Sequence, residues 1–226
     1  MPLLRCDMRV TYLTFVRGNF RRYNASGQQL FEETVVTIAA VTGSGDRILA
    51  AATRMAQAHG YTGLNIRDLA QDVGIKAASI YHHFASKADL AAAVARRYYE
   101  DAAAALEELS AASGDPLVSL RRYPETFRRS LECDNRMCLS SFMAAEYDDL
   151  PEAVKKEVQA FADVNVAWLR RSLEASGVVT GEGSRERACA IYAAVAGAQL
   201  MARGRADIAL FDTLIGTYRA VGLLPG

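Results

Sequence analysis

Proline and histidine are both scarce in this chain, five and three in 226 residues. Few prolines leave long stretches free to be helical, since an interior proline removes an i→i−4 hydrogen bond. All three histidines, His59, His82 and His83, fall within one short stretch. With no GxSxG nucleophile motif and no phosphate-binding glycine loop, a helical enzyme is the less favoured alternative, and no catalytic group or cofactor is expected. The four cysteines, Cys6, Cys133, Cys138 and Cys189, lack CxxC or CxH spacing, which argues against a metal module and for a reducing compartment. No apolar run reaches the about 18 residues of a membrane span, and no signal-peptide pattern is present, so a cytoplasmic protein with no membrane partner is expected. Neither sign of charge is in excess: 26 Lys plus Arg stand against 26 Asp plus Glu. Only local charge can then speak for a polyanionic partner.

What is present is alanine-rich helical periodicity, with no sustained strand alternation beyond the first forty residues, so the chain reads as all-α. Residues 1–43 differ from the rest: Arg5, Arg9, Arg17, Arg21 and Arg22 are set among Thr, Tyr, Asn and Gly. They are read as an appended extension, either poorly ordered or a basic arm laid along phosphates. Residues 44–91 form a small helical unit and residues 92–226 a larger helical domain.

In the small unit, Asp46 is the expected cap of a helix whose inward face is Ile48, Ala51, Ala52, Met55 and His59, stopped by Gly60. Asn65 precedes Ile66, Leu69, Ala70 and Val73, with Asp68 three positions on, which predicts a capped helix of about two turns ending at Gly74. The next short helix, within Lys76–Phe84, turns Ile80 and Phe84 inward and leaves Lys76, Ala77, Ser79 and Tyr81 outside. Ser86 with Asp89 opens a long helix running toward Ser110. Two short helices joined by a tight glycine turn match a helix-turn-helix, whose second helix enters the major groove.

The stretch "RILAAATRMAQAHGYTGLNIRDLAQDVGIKAASIYHHFASKADL", Arg47 to Leu90, resembles the DNA-binding domain of the TetR family of transcriptional regulators. Its most diagnostic part is Tyr81-x-His83-Phe84 followed by Lys87 and Leu90. The resemblance implies that Asn65 caps the second helix and touches a phosphate, and that Arg67 reaches a base edge or phosphate. It further implies base-facing positions at Ala77 and Ala78 and phosphate contacts at Ser79 and Tyr81. His83 and Lys87 would clamp the backbone beside His82. Lys76 stands where the family usually has a capping Ser, and the two alanines lack polar groups, so polar reading would fall mainly to Lys76 and Arg67. The rival reading of His82-His83 as a metal pair fares poorly, because adjacent helical residues diverge by about a hundred degrees and no third ligand lies nearby.

Further along, Pro116 and Pro151 suit first helical turns, Pro124 breaks a helix, and Val154, Val158, Phe161, Asn165, Trp168, Leu169 and Leu173 make one buried seam. Ile191, Val195 and Ala198, then Phe211, Leu214, Tyr218 and Val221, mark two last helices. Their small residues suit a four-helix interface with a second copy, which the resemblance also implies. Phe127, Cys138, Phe142, Met143, Tyr147, Phe161, Trp168 and Tyr192 are each either core or contacts to a small-molecule inducer, the resemblance placing an effector in this region. "RMCLSSFMAAEYDDLPEAV" is similar to the TetR subgroup containing NemR, whose members include electrophile and redox sensors. It sets Cys138 at a helix start near Arg136, both of which lower a thiol pKa. The expected function is a dimeric, ligand-released repressor binding a near-palindromic double-stranded operator. Its alternative is a redox or electrophile sensor acting through Cys138, with Cys133 as resolving thiol.

Overall fold

The computed structural model describes residues 43–179, 181 and 183–226; the extension expected over residues 1–43 lies outside them save for Gly43. Among the described residues every regular element is helical. Helix α1, Ser44–His59, ends at Gly60, whose φ of 70° is a left-handed conformation that a side chain would strain. Asp46, expected as the cap, is instead in the first turn of α1, where its carboxylate meets Arg97 Nη1 at 3.3 Å. The end of α1 is also turned further than expected: His59 is exposed, and Ala56 and Gln57 are buried in its place.

Helices α2, Ile66–Val73, and α3, Ala77–His83, follow the periodicity. Ile48, Ala52, Leu69 and Ile80 close around Leu90 with no side chain accessible. Arg47 Nη2 donates to Val73 O at 2.9 Å, tying α1 to the end of α2. Ser86 caps α4, Lys87–Ser113, by accepting from Asp89 N at 3.1 Å. The same helix then runs on into the rest of the protein, so α1–α3 are mounted on a continuous shaft.

Pro116 opens α5, Pro116–Arg122, and Pro124 breaks the chain into α6, Pro124–Glu132. After α7, Leu139–Ala145, and a 3-10 turn at Tyr147–Asp149 comes α8, Glu152–Ala175, with Pro151 as its N-cap rather than its first helical residue. Helices α9, Ser184–Arg205, and α10, Ile208–Ala220, close the chain. Residues 43–226 pack as one unit. Its spine is α4 against α8, α8 against α9 and α9 against α10. The seam from Val154 to Leu173 is buried as its spacing predicts, whereas Val221, expected inside, is exposed beyond the end of α10. No described helix is long and apolar enough to cross a membrane.

Candidate nucleic-acid interface and effector region

The short helices hold their orientation through local hydrogen bonds. Asn65 Oδ1 accepts from Arg67 N at 2.9 Å and Asp68 N at 3.4 Å, so the first turn of α2 is capped as its sequence predicts. Gly74, at φ 75°, returns its N–H to Gln71 O and turns the chain toward α3. Lys76 is the N-cap of α3; its ammonium cannot accept from the helix N–H groups, and the side chain is exposed to solvent.

Around the buried Ile80, Lys76, Ala78, Ser79, Tyr81, His82 and His83 are exposed, as are Asn65 and Arg67 at the start of α2. Ala77, expected to face outward, is half-buried against the core, whereas Ala78 is exposed. The exposed His83 and the half-buried Lys87 also make contacts within the unit. Ser44 Oγ and His83 Nε2 are 2.8 Å apart, and Lys87 Nζ donates to Thr62 O at 3.1 Å while lying 4.7 Å from the centre of the Tyr61 ring. Each therefore braces a neighbouring element, and a phosphate would share it. Ser44, Tyr61 and Thr62 had no signal in the sequence, because their partners lie many residues away. The His82 and His83 rings stand edge-on with centroids 6.4 Å apart. Among the described residues, no group of three His, Cys, Asp or Glu side chains is placed to hold a metal.

In the larger helical region the large side chains divide. Phe127, Phe161 and Tyr192 meet in one buried aromatic cluster, with Tyr98 stacked on Phe161 at 5.4 Å and Tyr123 joining Phe127 at 5.8 Å to Trp168 at 5.7 Å. Its polar atoms are satisfied internally. Tyr123 Oη donates to Asn165 Oδ1 at 2.9 Å, Asn165 Nδ2 to Phe161 O at 2.9 Å, and Gln199 Nε2 to Phe127 O at 2.6 Å. Met143 is buried, and Phe142 is half-buried beneath the Arg203 guanidinium at 4.8 Å. Tyr147 does not join the cluster: it stands exposed in the 3-10 turn, its ring under Lys155 Nζ at 4.4 Å. Trp168 borders two open clefts of about 210 and 200 Å³, which share Glu107 and Arg171 on their rims.

The structure gives no support to the sensor chemistry considered as the alternative at Cys138. Cys138 is the N-cap of α7 but is buried, and desolvation pushes its thiol pKa up. Bonds from the Ser141 backbone and hydroxyl, the Tyr98 hydroxyl and the Ser140 backbone only partly offset this. Arg136, the expected activating cation, points elsewhere: its Nη1 donates to Arg54 O at 2.7 Å and its Nη2 lies 3.6 Å from Asp134. Cys133, considered as the resolving thiol, stands at the C-cap of α6. A thiol-specific alkylating reagent followed by peptide mapping should therefore label the half-buried Cys189 before the buried Cys138, which reacts only through opening of the fold. Faster labelling of Cys138 than of Cys189 would restore the sensor reading.

The model of bacterial regulatory proteins of the tetR family matches residues 48–94, nearly the stretch from α1 to the first turns of α4. A solved TetR-family transcriptional regulator from Agrobacterium tumefaciens is 33% identical, over 77% of this chain and 94% of that one, with a TM-score of 0.72. A TetR transcriptional regulator from Legionella pneumophila is 28% identical, over 80% and 98%, at 0.75. NemR of E. coli in its reduced form is 21% identical over 80% and 97%, at 0.71, a likeness of fold. Comparison with curated proteins finds no match.

Proposed function

Since the chain belongs to the TetR family of bacterial regulatory proteins and is a transcriptional regulator of that family, we propose that it is a repressor that binds a near-palindromic operator as a homodimer and is released by a small-molecule inducer. The observation that carries DNA binding is the exposed face of α2 and α3. It presents Arg67, Lys76, Ser79 and Tyr81 together while Ile80 anchors α3 from behind. Such a helix fits the major groove, with hydroxyls and cations positioning it on phosphates and Lys76 and Arg67 able to reach base edges.

One short reading helix makes limited contact, and a second copy doubles it. The outer faces of α9 and α10 support a partner subunit. Leu200 and Met201 are 56% and 48% exposed, and nothing lies within 4 Å of where a Cβ would stand on Gly197, Gly204 or Gly216. Such surfaces let two helix pairs approach closely as a four-helix interface. The inducer would act by binding better to a dimer whose reading helices are wrongly spaced for successive grooves. The clefts beside Trp168 are the open sites for such a compound, and Trp168 is the one member of the aromatic cluster that lines them.

Capture and sequencing of genomic fragments bound by the protein, followed by titration of the recovered duplex at several salt concentrations, tests this reading. Lys87→Ala should weaken binding to all duplexes alike and reduce the slope of log K against log salt by about one for each phosphate that the ammonium neutralises. No enriched fragment and no salt-dependent duplex binding would reject the function. An unchanged slope for the variant would remove Lys87 from the interface and leave it only the bracing role on Thr62 O.

A further inference from the structure

We propose that Glu146 is the positioning residue that fixes the DNA-reading unit against the effector side of the molecule, through a carboxylate seated on the turn between α1 and α2; the proposal rests on the DNA-binding reading above. Glu146 follows the last residue of α7. Its Oε2 accepts from Tyr61 N at 2.5 Å and its Oε1 from Thr62 N at 3.1 Å, across 85 and 84 residues of chain. The turn is shaped to receive it. Gly60 sits at φ 70°, and a Cβ there would collide with the Glu146 carboxyl group. The absent side chain thus serves both the turn and the approach of the carboxylate.

The seat is one end of a short linkage. At the other end of α7, Cys138 N donates to Gln199 Oε1 at 3.0 Å, and Gln199 holds the Phe127 carbonyl inside the aromatic cluster. Just ahead of α7, Arg136 reaches Arg54 O on α1. The segment from Arg136 to Glu146 therefore grips α1 at Arg54, the turn after α1 at Tyr61 and Thr62, and the aromatic cluster through Gln199. Beyond the turn, Thr62 O accepts from Lys87 Nζ at the start of α4. Carboxylate, turn peptide and lysine form one line, from α7 to a cation assigned to the DNA backbone.

This seat is poised rather than deep. Glu146 is only partly buried and approaches the carboxyl end of α1, where the helix dipole repels an anion. Two charge-assisted N–H bonds oppose that repulsion, and a small displacement of α7 breaks both. A rearrangement around Gln199 has a direct route to the turn, and it releases the reading unit without unfolding anything.

The test uses the full-length protein, with Glu146→Leu removing the acceptor, Glu146→Gln keeping one carbonyl oxygen, and Gly60→Ala displacing the carboxylate from the opposite side. Hydrogen exchange at the Tyr61 and Thr62 amides reads the two bonds without DNA. It should quicken about tenfold or more in Glu146→Leu and Gly60→Ala and less in Glu146→Gln, while amides in the middle of α8 stay protected. Affinity for a captured duplex should fall about three- to tenfold in Glu146→Leu and recover in part in Glu146→Gln, because a freed reading unit is less preorganised. Unchanged exchange at Tyr61 and Thr62 overturns the seat. Faster exchange with unchanged or increased affinity overturns the positioning role. If the wild type binds no duplex, the DNA-binding reading fails, and the exchange measurement still decides whether Glu146 holds the turn.

Discussion

Trp168→Ala should lower the free energy of unfolding by about 3–5 kcal/mol, read as a fall in the denaturant midpoint. Trp168 is the chain's one tryptophan and 2% exposed. Its ring stacks on Tyr123 with 20° between planes, and its indole N–H donates to Ser110 Oγ at 3.0 Å, so it joins α8 to both α4 and the aromatic cluster. Truncation leaves a void among side chains already fixed by hydrogen bonds, such as Tyr123 on Asn165, which cannot collapse freely. Trp168→Phe keeps the stacking surface and loses the indole donor, so its cost should be smaller, about 1–2 kcal/mol. The pair also weighs core against cleft. If Trp168→Ala costs under about 1 kcal/mol, solvent already fills the space beside Glu107 and Arg171, and Trp168 is a cleft wall rather than part of the core. The tryptophan emission of the wild type, excited selectively, comes from the same residue and should respond to an apolar compound entering either cleft.

Legibility in the sequence follows the reach of each interaction. Asn65, Ser86 and Asp115 cap helices by bonding two or three residues ahead, and a local pattern of polar and apolar residues contains that information. Gly74 and Pro124 likewise act on their own neighbourhood, and the α8 seam is a repeat of one spacing. Asp46 shows where this stops. A first-turn aspartate suits a cap, but Arg97 on another helix claims it, and the N-cap passes to Gly43. Ala77 escapes a local reading because α3 is too short for its periodicity to separate two adjacent alanines. Cys138 escapes it for a different reason. Its position at a helix start is legible, yet depth of burial is set by packing of Tyr98, Tyr192 and Gln199 around it, and desolvation outweighs the nearby donors. Glu146 and Lys87 belong to the same class: both look like solvated charges until the α1–α2 turn is folded between them.

Arg67→Ala should weaken binding to the captured operator by about 1–3 kcal/mol and relax preference at one base pair, while binding to random duplex changes little beyond the effect of one charge. Arg67 stands in the first turn of α2, exposed, with its backbone N–H already held by Asn65. Among the described residues its guanidinium makes no ion pair, so no internal salt bridge must break before it reaches a base. A guanidinium forks onto guanine O6 and N7, whereas the Lys76 ammonium on α3 is a single flexible charge. Lys76→Ala should accordingly lose less base discrimination and more salt dependence than Arg67→Ala. Ala77 is half-buried and Ala78 exposed, so Ala78 is the better placed to meet a thymine methyl, and a bulkier Ala78→Leu should exclude the close approach that reading requires. A full set of single-base operator variants, titrated against wild type and each substitution, assigns every residue to a position. Equal preference at all positions for wild type and Arg67→Ala would move Arg67 to the phosphate backbone and leave operator discrimination to Lys76 and to the deformability of the duplex.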